Sequence, residues 1–355
     1  MKSATKAFAL LAISSLMLLT LVACSGAPAA PAASTGAAGK EQPKEAPKDV
    51  IKLKIGHDQP DKHPYHLGAV FFAQKVTELT NGRVQGTVFP SAQLGNELTM
   101  LDSLRLGDLD LSVSAAPNAS THVPELGFFS VSYLFDSKDH FIKTMTDPGF
   151  LGTVQEKVAA RNIGFRPIAF MTAGLRSIYN NQRPIKTVDD LKGLKMRVMA
   201  SPIESRVWQT LGTLPTSIPF GEIYTAMQTG VINAAEGAPV SYVTSKHNEV
   251  AKYLSLSEHQ WLVSVLWMSD KTWNKLPDDV KKAVTEAGQQ MTKYEIELNA
   301  KADDDAVAEA SAKNFQANKV EKDGFKQKLA SLQKDVAGEL GMEKALDIIS
   351  SLGKK

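Results

Sequence analysis

The hydrophobic positions of the chain follow two alternating patterns. Ile51–Gly56 reads IKLKIG, in which apolar and polar residues alternate as in a strand. Tyr65–Thr80 carries apolar residues at helical spacing, and Asn81-Gly82 predicts the end of that helix because glycine is favoured at helix termini. Strands alternating with helices in this way indicate an α/β fold. The same reasoning predicts strands at Arg83–Phe89, Leu109–Val113, Phe165–Met171, Ser177–Asn180, Gly193–Val198 and Val231–Ala235, and helices at Asn96–Leu106, Val154–Arg161, Ile203–Leu211 and Gly221–Thr229.

The carboxyl-terminal part of the chain has a different pattern. From Pro277 onward the sequence predicts an almost wholly helical segment, and two aspartates after that proline favour a helix start. We interpret the apolar stripe of its first helix as a packing face. The stripe consists of Val280, Val284, Ala287, Met291, Tyr294 and Leu298.

The amino terminus has the features of an export signal. Lys2 and Lys6 precede an apolar run that is too short for a membrane-spanning helix, and small residues follow it. The run Leu21-Val22-Ala23-Cys24 resembles a bacterial lipobox, which implies lipidation of Cys24; the alternative is an ordinary signal peptide with an incidental cysteine. We therefore predict a lipoprotein signal peptide at 1–23 and, because alanine, proline, glycine and serine dominate there, a flexible tether at 24–49.

Charge and cysteine content exclude several classes of function. The chain has 40 basic and 38 acidic residues, and removal of a signal containing Lys2 and Lys6 equalises them, whereas nucleic-acid binders have a basic excess. Cys24 is the only cysteine, so a folded part beyond it has no disulfide or thiolate site. We find no G-x-S-x-G elbow and no phosphate-binding loop, and we expect no enzyme activity and no cofactor.

A polar loop after the first predicted strand raises the question of a metal. Imidazole and carboxylate groups suit zinc, but no H-E-x-x-H motif or cysteine pair accompanies them. We predict no metal and interpret the loop as the lining of a ligand cleft, because ligands of α/β domains bind beyond the carboxyl ends of strands. The loop contains His57, Asp58, Asp61, His63 and His66.

Arg197 lies late in the predicted strand GLKMRV and precedes a loop that leads to a helix. Its guanidinium is a planar, permanently charged fork that matches a carboxylate. Local sequence leaves two interpretations open, a solvated charge on a strand face and an anchor for an anionic solute in a cleft.

Several motifs, in order from about Ile51 to the end, resemble the solute-binding proteins of TRAP transporters, of the DctP type. They include GRVQGTVFPSAQLGNE, PELGFFSVSYLFD, GLRSIYN, DDLKGLKMRVMASP, LGTLPTSIPFGEIYTAMQTGVINAAEG and KHNEVAKYLSLSEH. The resemblance implies a two-lobed α/β periplasmic-binding-protein fold with a ligand cleft between the lobes and long carboxyl-terminal helices. We expect lobe 1 at 50–173 and about 263–301, and lobe 2 at 174–262 and about 302–355.

The resemblance also implies positions for the ligand site. The family arginine that grips a ligand carboxylate falls on Arg197, and a second arginine falls on Arg176. Many members have Glu-Asn-Pro where this chain has Glu236-Gly237-Ala238-Pro239, so an amide is missing and another group such as Ser201 must complete the site. An acid of sialic-acid-binding relatives corresponds to Ala115, which argues against sialic acid. The remaining implied positions are an aromatic residue at Phe220 and the cleft-lining Asp58 and Glu97.

From this resemblance we expect a lipid-anchored extracytoplasmic receptor that closes on an organic acid and delivers it to TRAP membrane subunits, with no nucleic-acid partner. The residues admit a sugar acid, an aromatic acid or a short dicarboxylate. Two other classes stay open, a lipid-anchored sensory receptor and a hydrolase, although the chain offers a hydrolase no recognisable nucleophile paired with a base.

Overall fold

The computed structural model describes residues 50–312 and 316–354, without the side chains at 310–312 and 316. The predicted signal peptide, Cys24 and the predicted tether lie outside these described residues. Alternating strands and helices fill the first part of the described chain, as the sequence predicts. They are β1 Ile51–Gly56, α1 Pro64–Leu79, β2 Val84–Phe89, α2 Glu97–Leu106, β3 Leu111–Ala115, α3 Ala116–Ala119, α4 Lys138–Thr146, α5 Pro148–Ala160 and β4 Phe165–Asn180.

Short strands and helices then lead to a second long strand and a long helix. A helical turn at Val188–Leu191 has the capping box formed by Thr187 and Asp190. The further elements are β5 Lys195–Val198, α6 Pro202–Thr210, β6 Leu214–Ser217, α7 Ile223–Gln228, β7 Ala234–Gly237, α8 Pro239–Thr244, β8 Tyr253–Ser269, α9 Asp270–Lys275, α10 Asp278–Ala312, β9 Gln316–Lys319, α11 Lys322–Lys328, α12 Leu332–Leu340 and α13 Glu343–Gly353.

The described strands form one mixed sheet with the order β2-β1-β3-β8-β4-β7-β5-β6, and β9 pairs with β8 at one end. β4 and β8 are antiparallel neighbours and run the length of the molecule. One end of β8 pairs with β3, whereas the opposite end of β4 pairs with β7. The sheet therefore has two halves, one around β1 and one around β5, which β4 and β8 join.

Two sequence predictions about these strands are wrong. Phe165–Met171 and Ser177–Asn180 are not separate strands, because β4 continues through irregularities that shift its register between Thr172 and Leu175. Gly174 adopts a φ of +101° within that irregularity, so a glycine that looks like a break in the sequence instead forms a bulge. The strand predicted at Val231–Ala235 begins later, at Ala234.

The long helix α10 crosses both halves of the sheet. Its first turns bury Val280, Val284, Ala287 and Met291, as the predicted stripe requires, but Tyr294 is exposed and stacks on Phe71 with ring centroids 4.3 Å apart. The segment after Pro277 is not wholly helical, because β9 interrupts it and pairs in parallel with β8.

Three buried polar residues of α10 then bind the irregular part of β4. Glu295 accepts a hydrogen bond from the Thr172 backbone at 2.9 Å, and Asn299 donates to the Thr172 carbonyl at 2.9 Å. Asp303 accepts from the backbone N–H of Leu175 at 3.0 Å and, through its other oxygen, from Val240 at 3.1 Å. Carboxylate and amide groups thus satisfy backbone groups that the bulge removes from the ladder.

The final helices, α12 and α13, share a buried cluster with helices from the middle of the sequence. Val336 and Ile349 belong to the same buried cluster as Phe141 and Phe150 of α4 and α5. The lobe boundaries expected from the sequence stay a prediction. None of the described helices is both long and apolar enough to span a bilayer.

Candidate functional site

Arg197 lies on β5, between β6 and β7. Met196 and Val198 point into the core on one face of this strand, and Arg197 takes the other face. Its side chain is not solvated, because the residue is only 2% exposed. The structure therefore contradicts the interpretation of Arg197 as a solvated charge.

The guanidinium of Arg197 is buried without an acidic partner. Its Nε donates to the Ile218 carbonyl at 2.8 Å, and among the described residues no carboxylate lies within ion-pair distance. The nearby His247 is neutral, because burial and the charge of Arg197 lower the pKa of that imidazole to about 3. Since an uncompensated buried charge is costly, Arg197 is poised to receive an anion.

A small pocket of about 40 Å³ lies near this guanidinium, because Ile218, whose carbonyl binds Arg197, also lines the pocket. The pocket lies between the two halves of the sheet, where the loops beyond β1 and β3 face those beyond β5 and β6. Its lining includes Asp58, Glu97, Asn118, Ala200, Ile218 and Phe220. Three positions that the resemblance implies, Asp58, Glu97 and Phe220, thus share one pocket next to Arg197.

The wall opposite Arg197 is acidic and tightly hydrogen-bonded. Glu97 begins α2 and accepts from the Ala115 backbone at 3.0 Å and from the Asn118 amide at 2.6 Å. Burial and the neighbouring Asp58 raise the pKa of Glu97 to about 8. Burial likewise raises the pKa of Asp58 to about 6, although hydrogen bonding from Gln59 and the charge of Arg197 oppose the rise. This wall offers hydrogen-bond acceptors with little negative charge on Glu97.

Arg176 is held by an acid of the neighbouring strand. Its Nε and Nη2 bind both carboxylate oxygens of Glu236, and Nη2 also donates to the Glu236 carbonyl at 2.9 Å. His259 lies on the other side, with Nε2 3.4 Å from Glu236. Burial alone would raise the pKa of Glu236, but Arg176 and His259 hold it below its ordinary value. Glu236 is thus ionised, and among the described residues the Nη1 of Arg176 has no acceptor.

Direct hydrogen bonds join the two sides of the pocket. The Ala200 backbone donates to the Asn118 side chain at 2.8 Å, and the hydroxyl groups of Ser201 and Ser130 lie 2.8 Å apart. Ser201 also caps α6, so its hydroxyl group has two protein partners. These contacts join the loop after β5 to residues that follow β3.

Two comparisons identify the molecule. Residues 55–339 match the family described as DctP, bacterial extracellular solute-binding protein, family 7. The chain belongs to this family. A solute-binding protein of Roseobacter denitrificans is 32% identical over 276 residues, which are 77% of this chain and 82% of that protein.

Solved structures place this DctP protein among TRAP periplasmic solute-binding proteins. The one from Anaerococcus prevotii with bound α/β-D-glucuronate has a TM-score of 0.81 at 28% identity and covers 86% of this chain and 98% of that chain. The one from Sulfurospirillum deleyianum with bound succinate has a TM-score of 0.78 at 29% identity and covers 86% and 99%. The two-lobed α/β fold expected from the sequence is confirmed, and the family is one of binding proteins rather than enzymes.

Gly237 and Ala115 are the two positions at which the resemblance implies a departure from other family members. Gly237 ends β7, and a Cβ atom there would meet Tyr179 at 3.4 Å, so the position could hold a side chain. Ala115 ends β3 and contributes its backbone N–H to Glu97. Neither residue adds a functional group, so the polar contacts of the site come from their neighbours.

The histidines of the polar loop after β1 form hydrogen bonds within the protein. His57 and His66 share a hydrogen bond of 3.1 Å between ring nitrogens, and His63 contacts the Ser241 hydroxyl at 3.0 Å while capping α1. The described residues contain no group of three metal-ligating side chains. Asp58 is the member of this loop that lines the pocket.

Sequence reasoning missed two residues of the site. Asn118 follows β3 directly and contacts both Glu97 and Ala200, and the rule that sites lie beyond strand ends would have found it. Glu204 is the second residue and lies near Arg176 and Arg197. In the sequence it is the fourth residue of the capping pattern Ser201-Pro202-Ile203-Glu204, which is typical of an ordinary helix start.

Proposed function

We propose that this protein captures a sugar acid with a single carboxylate and several hydroxyl groups. The observation that carries the proposal is Arg197, a buried guanidinium with no acidic partner among the described residues, beside a pocket with a polar opposite wall. The ligand carboxylate binds Arg197, and the ligand hydroxyl groups bind Asp58, Glu97 and Asn118. Hydrogen bonds to a charged group contribute roughly 1.5–3 kcal/mol each.

The acidic wall favours a sugar acid over the other two classes. A short dicarboxylate would place its second carboxylate beside Asp58, which a pKa of about 6 leaves largely ionised at neutral pH, so that like charges repel. An aromatic acid would leave the groups of this wall buried without partners. Hydroxyl groups both donate to Asp58 and Glu97 and accept from the Asn118 amide. The D-glucuronate bound to the Anaerococcus relative supports this choice, and the succinate bound to the Sulfurospirillum relative makes a dicarboxylate the alternative to test.

The remaining implied residues have supporting roles in this proposal. The Nη1 of Arg176 is a second donor to the ligand carboxylate, and Glu236 holds that guanidinium in place. Phe220, whose ring lies 5.3 Å from the His247 ring, packs against the apolar face of the ligand. The hydroxyl group of Ser201 replaces the amide that relatives have at Gly237.

Closure links capture to delivery. The contacts between Asn118 and Ala200 and between Ser130 and Ser201 cross the cleft, so they form only when the halves of the sheet approach each other. A ligand bound to both walls stabilises this closed state by its differential affinity. We propose that the TRAP membrane subunits recognise the closed state, with the lobes divided at the boundaries expected from the sequence.

A panel of acids tests the proposed ligand class. We expect calorimetry to give the highest affinity for a uronate or aldonate such as D-glucuronate or D-galactonate. Loss of the hydroxyl groups should weaken binding by roughly 1–3 kcal/mol for each buried polar group that loses its partner. Succinate and benzoate are the matched comparisons. Tighter binding of either one than of all sugar acids would contradict the proposal.

We also propose that a lipid on Cys24 anchors the protein to the outer face of the cell membrane through the tether at 24–49. The proposal rests on the Leu21–Cys24 sequence and the composition that follows it.

Replacement of Cys24 by alanine tests the anchor. The wild-type protein should sediment with membranes and partition into detergent, because lipid chains gain about 0.8 kcal/mol per buried CH₂ group. We expect C24A to appear in the soluble extracytoplasmic fraction, with unchanged ligand affinity in purified form. S25A is the matched control and should stay with the membrane. Equal partitioning of C24A and wild type would rule out the anchor.

A further inference from the structure

Glu204 is a buried carboxyl group beside the arginines that the capture mechanism does not use. It is 1% exposed, and its Oε1 accepts a hydrogen bond from the Met199 backbone at 3.1 Å. Its Oε2 is buried and has no hydrogen-bond partner among the described residues. A carboxylate oxygen in such a place is costly, whereas a protonated oxygen can donate to a neighbouring acceptor.

Charged and titratable groups face Glu204 from four strands. Glu236 on β7, Arg176 on β4 and Arg197 on β5 act on Glu204 through their charges. His259 on β8 lies against the same helix, α6, where burial lowers the pKa of its ring. In the described part of the chain neither arginine forms an ion pair with Glu204, so no cation neutralises its carboxylate directly. Glu236 is the charged group that acts on it most strongly.

We propose that Glu204 is a positioning residue that sets the charge of the ligand site: its carboxyl group is protonated and donates a hydrogen bond to Glu236. This inference rests on the proposed function. The charges of Arg176 and Glu236 then cancel, and Arg197 leaves one net positive charge on this side of the cleft. One net positive charge matches a ligand with a single carboxylate.

The surroundings favour the protonated form at neutral pH. Burial, followed by the negative charge of Glu236, raises the pKa of Glu204 to about 8. Ionisation of Glu204 above this pH places a second negative charge beside Arg176 and Arg197. The net charge on this side of the cleft falls to zero, and the attraction for a carboxylate weakens. Ligand affinity should therefore fall as the pH rises from 7 to 9, and the ligand should in turn favour the protonated form.

The affinity for D-glucuronate between pH 6 and 9 tests this inference. We expect wild-type affinity to fall roughly five- to tenfold between pH 7 and 9. E204Q keeps a neutral donor, so it should lose much of the pH dependence, whereas E204A should bind more weakly than E204Q throughout. The raised pKa of Glu97 lies in the same range, so an E97Q protein measured in parallel gives the part of the pH dependence that is due to Glu97. Parallel profiles for E204Q and wild type would overturn the inference.

A carbon NMR titration gives a readout that does not depend on the ligand. In protein labelled at glutamate side-chain carboxyl carbons, the signal missing from E204Q belongs to Glu204. We expect that signal to titrate between pH 7 and 9, and a midpoint below pH 6 would overturn the inference.

The two measurements separate this inference from the proposed function. If neither wild type nor E204Q binds D-glucuronate or any other acid of the panel, the proposed function fails, and the NMR titration alone decides the charge of Glu204. If R197A abolishes binding while E204Q keeps the wild-type pH profile, the proposed function stands and the role of Glu204 is refuted.

Discussion

Replacing Arg197 by alanine is expected to weaken sugar-acid binding by about 3–4 kcal/mol, which is roughly 200- to 1,000-fold in Kd. The guanidinium is buried and has no ion-pair partner among the described residues, so the ligand carboxylate would lose its matching charge and be left desolvated. Calorimetry with the tightest-binding acid of the panel measures this change. An R197A protein that binds as tightly as wild type would remove Arg197 from the site.

Stability measurements distinguish this loss from misfolding. Because a buried unpaired cation destabilises the ligand-free protein, R197A should have an equal or higher Tm than wild type in the absence of ligand. R197K keeps the charge but loses the planar fork, so its affinity should lie between those of wild type and R197A. The matched control is R105A, because Arg105 lies on α2 and is about half exposed. The R105A protein should bind the acid with the same affinity as wild type.

The sequence contained enough information to locate the centre of the site. The GLKMRV alternation predicted a strand with Arg197 opposite Met196, and the structure contains that strand. Alternation cannot say whether the second face of a strand is solvated, however, because burial depends on elements that are distant in sequence. Ile218, Asp58 and Glu97 surround Arg197 only after the loops beyond several strands meet. The resemblance to known proteins, and not the local pattern, indicated the cleft.

The roles of the second arginine and its neighbours needed the structure. Nothing in GLRSIYN or AAEGAP indicates that Arg176 and Glu236 pair, since they are 60 residues apart and meet only through the pairing of β4 with β7. Glu204 looks like the last residue of a helix cap, yet it lies beneath both arginines. Whether Arg197, Arg176 and the other residues implied by the resemblance act on a ligand stays a prediction.

The strands that join the two halves of the sheet were the least predictable part of the fold. β8 was missed because its run from Tyr253 to Ser269 mixes serines and charges with apolar residues, and its burial comes from neighbours on both sides. The polar half of α10 was also unexpected. Glu295, Asn299 and Asp303 interrupt the apolar stripe where the helix meets the bulge of β4, because backbone groups there need side-chain partners.

Gly174 lies at the centre of this junction and has no room for a side chain. A Cβ atom there would lie 2.7 Å from the Asn299 side-chain oxygen and 2.8 Å from the Ala238 Cβ, and it would also collide with Asp303. Asp303 binds the backbone on both sides of the junction, at Leu175 and Val240, so it cannot move away without breaking both bonds. The φ of +101° adds strain for any other residue.

Replacing Gly174 by alanine should therefore cost about 3–5 kcal/mol of the free energy of unfolding, a large part of the total for a domain. Gly193 offers a matched control, since its φ is +77° but no atom lies within 4 Å of an added Cβ. G193A should cost only the backbone strain, about 1–2 kcal/mol. Denaturant unfolding measures both. If G174A is as stable as G193A, the junction can rearrange around a side chain.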